Sequence, residues 1–250
     1  MKAYAIIPAH NEARTLPRIA LEAARYCSVI VVDDGSTDDT LQRLHDLPVA
    51  VISNPHNVGK SVSLWRGFEQ ARKQGADCIL SLDADGQHAP EDIPRLLERA
   101  RQQPDALIIA ARVLNRHATP PLRLFANRMA NFWISWAAGR SIPDTQSGFR
   151  VYPPGLLAEV TPPASRHSGF VFESEVLIEA GWRGVPILFE PVEAHYPEDA
   201  RPSHYRPGRD TFAIIFMVAG RLLRRGLYPQ GLYRSLRQRY DKRATDNGQA

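Results

Sequence analysis

The chain has 250 residues, of which 44% are hydrophobic and 23% charged, with a formal net charge of +4. These values are ordinary for a globular protein, and the length suits one large α/β domain with a substantial core. Cys27 and Cys78 lie in apolar stretches and form no metal-spaced pair, which excludes a cysteine metal site and indicates a reducing compartment. A strand begins by residue 3 without a preceding leader segment, so we expect a cytoplasmic protein without a signal peptide.

Apolar runs alternate with helix-like stretches along most of the chain. The runs predict strands at residues 4–7, 29–32, 49–52, 78–82 and 106–110. Helices are expected near residues 12–26, 38–46, 59–74, 91–103 and 119–138. The early runs are apolar on both faces, as in parallel strands covered by helices, and the alternation implies right-handed crossovers. Beyond residue 140 we expect strands at 148–152 and 186–190, with an acidic helix at 173–180 between them.

Two carboxylates follow the fourth predicted strand. Asp83 and Asp85 stand where the apolar run Cys78-Ile79-Leu80-Ser81-Leu82 ends. In an extended segment residues i and i+2 point the same way, roughly 6.5 to 7 Å apart at the backbone, so both carboxylates would approach one ion. Mg²⁺ and Mn²⁺ prefer oxygen ligands and leave positions for substrate phosphate, so the pair predicts a metal–diphosphate site. The alternative is turn chemistry, in which Asp85 caps the helix near Pro90.

Polar residues also follow the first three predicted strands. They form the segments Pro8-Ala9-His10-Asn11-Glu12, Asp33-Asp34-Gly35-Ser36 and Asn57-Val58-Gly59-Lys60. Open parallel sheets bind ligands at the carboxyl ends of their strands. We therefore expect these segments and the Asp83–His88 segment to form a single site.

The order and spacing of these four segments resemble the donor-site motifs of glycosyltransferase family 2, and in particular its polyprenyl-phosphate glycosyltransferase branch. Arg112 and the segment Asp144-Thr145-Gln146-Ser147-Gly148-Phe149-Arg150 extend the resemblance to about residue 195. The resemblance implies the GT-A fold, a single α/β domain with a Rossmann-like, mostly parallel sheet flanked by helices. Residues 1–240 would form it, with a nucleotide-sugar half (1–112), an acceptor half (113–200) and a lid loop followed by a basic amphipathic helical segment (201–240). Residues 241–250 are expected to be a disordered tail.

The resemblance implies a metal-dependent, inverting enzyme that moves a sugar from a UDP- or GDP-linked donor to a lipid-linked acceptor, polyprenyl phosphate. The ion, Mg²⁺ or Mn²⁺, would stabilise the leaving diphosphate as a Lewis acid. Its implied ligands are Asp83, Asp85 and Gln87, with Asp85 as the catalytic carboxylate; the alternative for Asp83 is a position nearer the ribose. The implied donor-binding residues are Pro8, Ala9, Asn11, Glu12, Asp33, Lys60 and Asp83. Asp34 and Ser36 are expected to order the turn, and a solvated Lys60 is the alternative to a phosphate contact.

On the acceptor side, the resemblance places the acceptor phosphate at Arg112 and Arg123, whose guanidinium groups suit phosphate oxygens. Asn127 stands where this branch usually has serine. A phosphate acceptor needs no base, whereas a hydroxyl acceptor would use Glu173 or Glu175. Asp144 is a further candidate base, or it braces Arg150. The lid would contain Arg201, Ser203 and His204, with a plain surface loop as the alternative.

Residues 201–243 contain 11 Lys and Arg against 2 Asp and Glu, a local charge of +9 that leaves about −5 for the remainder. The apolar run from Phe212 to Gly220 lies among these charges. It is too short to span a bilayer, so we expect a helix that binds the cytoplasmic face of the membrane peripherally, or one that packs on the core. Nucleic acid is excluded as a partner because no recognition fold accompanies the charge.

Two other functional classes share parts of this pattern. A nucleotidyltransferase would carry a glycine-rich phosphate loop directly after the first strand, where this chain has Pro8-Ala9-His10-Asn11-Glu12. A non-catalytic membrane adaptor would have lost the acidic residues at the strand ends. Both are therefore less favoured than a transferase.

Overall fold

A computed structural model describes residues 1–114, 121–163, 169–193, 195 and 207–237. The strands are β1 (Ala3–Ala9), β2 (Ser28–Asp33), β3 (Ala50–Ser53), β4 (Cys78–Ser81), β5 (Leu107–Arg112), β6 (Arg150–Tyr152) and β7 (Ile187–Val192). They form one seven-stranded sheet in the order β3-β2-β1-β4-β6-β5-β7. Neighbours pair in parallel except at β6, which is antiparallel to both β4 and β5. The predicted mostly parallel sheet is confirmed.

Helices follow most of the strands. They are α1 (Leu16–Ala23), α2 (Lys60–Lys73), α3 (Ile93–Gln102), α4 (Pro121–Ala138), α5 (Pro154–Glu159), α6 (Gly169–Trp182), α7 (Pro207–Arg224) and α8 (Pro229–Arg237). The helix predicted near residues 38–46 is wrong, because that stretch forms a 3₁₀ turn at Gln42–Leu44 instead. The Asp38 carboxylate accepts the main-chain N–H of Thr40 at 3.0 Å, and such a local bond competes with helical hydrogen bonds.

The core has two hydrophobic layers, one on each face of the sheet, because successive side chains of a strand point to opposite faces. Ile6 of β1 lies with Phe68 of α2 in one layer, and Ile7 lies with Leu16 of α1 in the other. The expectation that every early strand is covered on both faces is wrong for β3. This strand is at the edge of the sheet, and its Val51 is 41% exposed.

The antiparallel β6 brings a loop from the acceptor half to the edge of the sheet where the parallel strands end. Its first residue, Arg150, pairs with Ser81 at the end of β4. The Ser81 hydroxyl donates to the Gly148 carbonyl at 2.6 Å. The loop of residues 143–149 therefore enters the sheet beside the segment that follows β4.

The apolar run of the C-terminal segment lies in α7. One face of this helix is buried and packs towards α4 and α6, through Ile214, Val218 and Leu222. The predicted packing on the core is therefore confirmed for this face. In the described ranges we find no helix that is both long and apolar enough to cross a membrane. The predicted lid residues Arg201, Ser203 and His204, and the tail, lie outside the described residues.

Candidate active site

The segment of residues 83–88, here called the acidic turn, follows β4. Because β4 ends at Ser81 and residues 84–85 form a turn, the expectation of an extended backbone from Asp83 to Asp85 is wrong. The two carboxylates have different partners. Asp83 Oδ1 lies 2.7 Å from Lys60 Nζ, whereas Asp85 Oδ1 accepts the main-chain N–H of Gln87 at 3.0 Å. The turn alternative is thus correct for the backbone at Asp85, but its helix-capping part is wrong, because Ala89 is the residue before the turn at Pro90–Asp92 and no side chain caps it.

Lys60 is the first residue of α2 and contacts two carboxylates. Its Nζ lies 2.7 Å from Asp83 Oδ1 and 3.0 Å from Glu173 Oε2. Burial by itself would lower the pKa of Lys60, but the two carboxylates raise this pKa above its ordinary value. The solvated alternative for Lys60 is wrong, since its side chain is 24% exposed and doubly paired. The residue connects the acidic turn to α6.

The loop before Lys60 is fixed by Asp34. The Asp34 carboxylate accepts the main-chain N–H groups of Val58 and Gly59, both at 2.8 Å, and the Asn54 amide at 2.9 Å. Gly59 adopts a φ of 94°, a conformation that glycine reaches without strain. The expected role of Asp34 was in the turn at residues 33–36; its carboxylate instead orders the loop at residues 54–59 that delivers Lys60.

The charges of the acidic turn are suited to a divalent cation. Burial would raise the pKa of Asp83, but Lys60 holds it below the ordinary range; burial and the Asp83 charge together raise the pKa of Asp85. A bound cation would relieve the repulsion at Asp85. Among the described residues, no three His, Cys, Asp or Glu side chains converge on one point. Mg²⁺ or Mn²⁺ fits here as an ion held by one or two carboxylates and completed by diphosphate oxygens.

Arg112, at the end of β5, joins the acidic turn to the 143–149 loop. Its Nε and Nη2 donate to Asp144 Oδ2 and Oδ1 at 2.8 and 3.1 Å, and its main-chain N–H donates to Asp144 Oδ2 at 3.1 Å. Its Nη1 donates to Gln87 Oε1 at 3.2 Å. Burial would raise the pKa of Asp144, but Arg112 lowers it below its ordinary value. A strong ion pair therefore lies beside the predicted metal ligands.

The alternative that Asp144 braces Arg150 is wrong. The buried Arg150 guanidinium instead donates to three main-chain carbonyls, those of Ser147 at 2.8 Å, Thr145 at 2.9 Å and Glu173 at 2.7 Å. A guanidinium group carries five N–H donors and needs such partners when it is buried. It ties the 143–149 loop to the first turns of α6.

The loops after β1 and β2 hold each other. Asn11 has a φ of 58°, its N–H donates to the Ser36 hydroxyl at 2.8 Å, and its Oδ1 accepts the N–H of Thr37 at 2.7 Å. The buried Asp33 carboxylate accepts the Ser36 N–H at 3.3 Å. The Asn11 side chain therefore orders the donor-side loops in addition to its predicted binding role.

The other donor-side candidates differ in exposure. Pro8 and Ala9 are buried within β1, at its carboxyl end. Glu12 is partly buried, and its Oε2 accepts the Thr15 hydroxyl at 3.3 Å. The same hydroxyl donates to the Ala84 carbonyl at 2.6 Å, so Glu12 is connected to the acidic turn through Thr15.

Glu173 and Glu175, the two candidate bases, have different environments, because residues two apart on a helix do not share a face. Glu175 Oε1 lies 3.4 Å from Arg221 of α7, where α6 and α7 are in contact. Glu173 is buried and pairs with Lys60, and its Oε1 has no hydrogen-bond partner among the residues that the structure describes. Of the two, Glu173 belongs to the site.

Helix α4 borders the 143–149 loop through Asn131. The Asn131 Oδ1 accepts the Thr145 N–H at 2.8 Å, and its Nδ2 donates to the Pro143 carbonyl at 2.7 Å. Asn127 is one turn earlier on the same helix face and is partly buried. Arg123 is a further turn earlier, and its side chain lies outside what the structure describes.

Sequence reasoning missed two residues that shape the acidic turn. A Cβ atom on Gly148 would lie 2.2 Å from Asp83 Oδ2, so the absence of a side chain there lets the carboxylate fit. His88 is buried with its ring 5.3 Å from that of Phe149, and burial, then Arg112, lower its pKa to about 3. Gly148 belongs to the Asp144–Arg150 segment, but its contact with Asp83 depends on β6 lying beside β4.

Comparison with known proteins identifies the family of this chain. Residues 4–159 match the model of "Glycosyl transferase family 2". A polyprenol monophosphomannose synthase of Mycolicibacterium smegmatis is 30% identical over 200 residues, covering 75% of this chain and 74% of that protein. A UDP-N-acetylglucosamine–dolichyl-phosphate N-acetylglucosaminyltransferase of Methanococcus voltae is 28% identical over 244 residues, covering 88% and 94%.

The fold also matches a solved glycosyltransferase. The glucosyl-3-phosphoglycerate synthase of Mycobacterium tuberculosis, determined with Mn²⁺, UDP-glucose and phosphoglyceric acid, superposes with a TM-score of 0.68 at 20% identity, over 88% of this chain and 79% of that one. At that identity the likeness shows the fold, which is GT-A. The chain belongs to glycosyltransferase family 2. It is an enzyme of the glycosyltransferase type, and its relatives fall in the polyprenyl-phosphate branch.

Proposed function

We propose that this enzyme transfers a sugar from a UDP- or GDP-linked donor to the phosphate of a polyprenyl lipid, with inversion and with the help of Mg²⁺ or Mn²⁺. Residues 1–112 form the nucleotide-sugar half and residues 113–200 the acceptor half. The observation that carries the proposal is the position of α4, which contacts the active-site loop through Asn131 and exposes a row of apolar side chains on its outer face.

That row consists of residues four, seven and eight positions apart, which lie along one helix face: Phe125, Met129, Phe132 and Trp133. Phe125 is the most exposed, at 64%. Trp133 stacks on Trp136 with ring centroids 5.3 Å apart. Exposed aromatic residues of this kind are typical of the boundary between lipid headgroups and acyl chains. A lipid acceptor held there has its phosphate close to the 143–149 loop.

The C-terminal helices extend this surface. Helices α7 and α8 both pack against α4, and they expose Phe216 and Leu236. α8 has Arg234 and Arg237 in its last turn. We infer that this surface rests on the anionic cytoplasmic face of a membrane, where each basic residue contributes about 1 kcal/mol of attraction. Arg221 is not part of it, because it pairs with Glu175 and Glu179.

The reaction follows from the groups around the acidic turn. The acceptor phosphate is already anionic, so its oxygen attacks the anomeric carbon without a base, and the bond to the donor diphosphate breaks. Arg112 orients that phosphate, and Asp144 holds the guanidinium in place. Asp85 and Asp83, with Gln87 as a further ligand, would hold a divalent ion, which when bound would stabilise charge on the leaving diphosphate. The lipid-phosphate acceptor is supported by two relatives whose names include polyprenol monophosphomannose and dolichyl phosphate.

Donor binding is tested by calorimetric titration of UDP- and GDP-sugars in the presence of Mg²⁺ or Mn²⁺. Asp85→Ala is expected to abolish metal-dependent binding and turnover without loss of folding, since a carboxylate in a surface turn contributes little to the core. Asp105→Ala is the matched control, because that exposed aspartate precedes β5 at the opposite edge of the sheet. Full turnover by Asp85→Ala, or turnover in excess chelator, would refute the metal site.

A transferase that uses a hydroxyl acceptor is the second candidate, because Glu173, which could serve as the base, lies in the site beside Lys60. With a phosphate acceptor, Arg112→Ala should lose at least tenfold in activity, the equivalent of a charge-assisted bond of ~1.5 to 3 kcal/mol, and more than Glu173→Gln loses. With a hydroxyl acceptor the order reverses, because a missing base costs ~10² to 10⁴-fold. A dead Glu173→Gln enzyme beside an active Arg112→Ala enzyme would establish the hydroxyl acceptor.

A further inference from the structure

Within the described part of the chain, Glu173 carries a buried carboxylate oxygen without a partner. Its Oε2 lies 3.0 Å from the Lys60 ammonium, but no described group donates to Oε1, although the side chain is only 7% exposed. An unsatisfied buried acceptor costs free energy, and one at a functional site requires an explanation. A donor supplied by a bound molecule would satisfy it.

The position of this oxygen is fixed from two sides. The Arg150 guanidinium donates to the Glu173 main-chain carbonyl at 2.7 Å, which holds the helix backbone against β6. Lys60 holds the side chain and, through the same ammonium, contacts Asp83 in the acidic turn at 2.7 Å. Glu173 Oε1 is therefore a pre-positioned acceptor one lysine away from the predicted diphosphate site. The next group of a sugar nucleotide beyond its diphosphate is the sugar.

We propose that Glu173 Oε1 accepts a hydrogen bond from one hydroxyl of the transferred sugar and so selects the donor sugar. This inference rests on the proposed function and adds the group that distinguishes one hexose from another. Lys60 is the positioning residue that orients Glu173. A carboxylate acceptor fits a hydroxyl because each sugar hydroxyl is a donor, and a site built to bind a hydroxyl strongly rejects an analogue that lacks it.

A base role for Glu173 and this role predict different data. A base acts on the acceptor, so its loss lowers turnover with every donor to the same degree. A sugar-binding group acts on the donor, so its loss removes the contribution of one hydroxyl and leaves the nucleoside diphosphate bound as before. The measurement must therefore separate binding of the sugar from binding of the nucleotide.

The experiment uses the full chain with Mn²⁺ and titrates it calorimetrically with UDP, GDP and their glucose, mannose, galactose and N-acetylglucosamine derivatives. The derivative that binds tightest is then compared with its 2-, 3-, 4- and 6-deoxy analogues. In the wild-type enzyme we expect one deoxy analogue to bind at least tenfold more weakly than its parent. In Glu173→Ala that penalty should fall to about twofold or less, while affinity for the free nucleoside diphosphate stays within about twofold.

Two further variants keep the result interpretable. Glu173→Gln retains an amide oxygen of the same shape and should recover part of the penalty, which also covers the case in which Glu173→Ala does not fold. Glu175→Gln, two residues along the same helix and paired with Arg221, should keep the full wild-type penalty. The inference is overturned if Glu173→Ala and Glu173→Gln both discriminate among deoxy analogues as the wild type does. Failure of the wild type to bind any sugar nucleotide would instead overturn the proposed function, and this inference with it.

Discussion

The Arg112–Asp144 pair offers a way to separate a structural role of Arg112 from acceptor binding. Both side chains are buried, at 10% and 8% exposure, so solvent screening hardly weakens the pair. Removing one partner of a buried ion pair typically costs about 3 to 5 kcal/mol. Asp144→Ala should reach this range, because it leaves the guanidinium buried beside the Gln87 amide without its carboxylate.

Arg112→Ala should cost less stability than Asp144→Ala, about 2 to 3 kcal/mol, which is the penalty for weakening the hydrogen bonding of a buried charge. The reason is that Asp144 keeps two main-chain donors, the N–H groups of residue 112 at 3.1 Å and Gln146 at 3.2 Å. In the double variant no uncompensated charge remains from the pair. Its loss of stability should therefore be smaller than the sum of the two single-variant losses, by about 0.5 to 3 kcal/mol.

Denaturant unfolding measures the stabilities, and a steady-state transfer assay with polyprenyl phosphate measures activity. If Arg112 binds the acceptor phosphate, the double variant recovers stability relative to Asp144→Ala, but its transfer activity stays at least tenfold below that of the wild type. The lost activity should appear as a raised KM for the acceptor. Recovery of activity together with stability would refute the reasoning and reduce Arg112 to a structural role.

Three other perturbations test separate parts of the account. Gly148→Ala should displace the Asp83 carboxylate and lower metal-dependent nucleotide binding, measured by calorimetry, at least tenfold. Gly155→Ala should leave this binding unchanged, because a Cβ atom there meets nothing within 4 Å. Because the pKa of Asp144 is lowered in the folded state, this carboxylate stabilises the fold at neutral pH, and the stabilisation is lost as pH falls below about 4. The unfolding free energy of Asp144→Asn should therefore decline less steeply with acid than that of the wild type. An equally steep decline would contradict the assignment. Phe125→Ser with Phe132→Ser should weaken co-sedimentation with anionic vesicles at least tenfold, given about 1.5 to 3 kcal/mol for a fully buried phenylalanine, while Leu21→Ser on α1 should not; equal binding by both would place the membrane surface elsewhere.

Much of the sheet could be predicted from sequence because each strand is a local apolar run. The predicted strand at 106–110 and the observed β5 at Leu107–Arg112 differ by two residues or fewer at each end. Edge position was not predictable in this way, since it depends on which strands pair. β3 therefore has the composition of a buried strand but is largely exposed. The antiparallel direction of β6 likewise follows from pairing with β4 and β5, which its three residues do not encode.

The candidate site, like the sheet, was predictable where it depends on local sequence and unpredictable where it depends on distant contacts. Residue types at the strand ends indicated the acidic turn and Arg112, because carboxylates and guanidinium groups there have few other uses. Partners distant in sequence could not be inferred: Lys60 reaches Glu173 from another helix, and Arg112 pairs with Asp144 rather than standing alone. These contacts depend on how the acceptor half folds back onto the donor half, and they decide which glutamate belongs to the site.

The central claim is that the enzyme glycosylates a lipid phosphate, and analysis of the product tests it most directly. The full chain is incubated with its preferred sugar nucleotide, Mn²⁺ and an equimolar mixture of a polyprenyl phosphate and the corresponding free polyprenol, and the lipids are analysed by mass spectrometry. We expect a glycosyl phosphate lipid that is heavier than the polyprenyl phosphate by one sugar residue, and we expect the polyprenol to be unmodified. The glycosylated lipid should be absent with Asp85→Ala. Glycosylated polyprenol, or donor consumption that leaves both lipids unchanged, would contradict the claim.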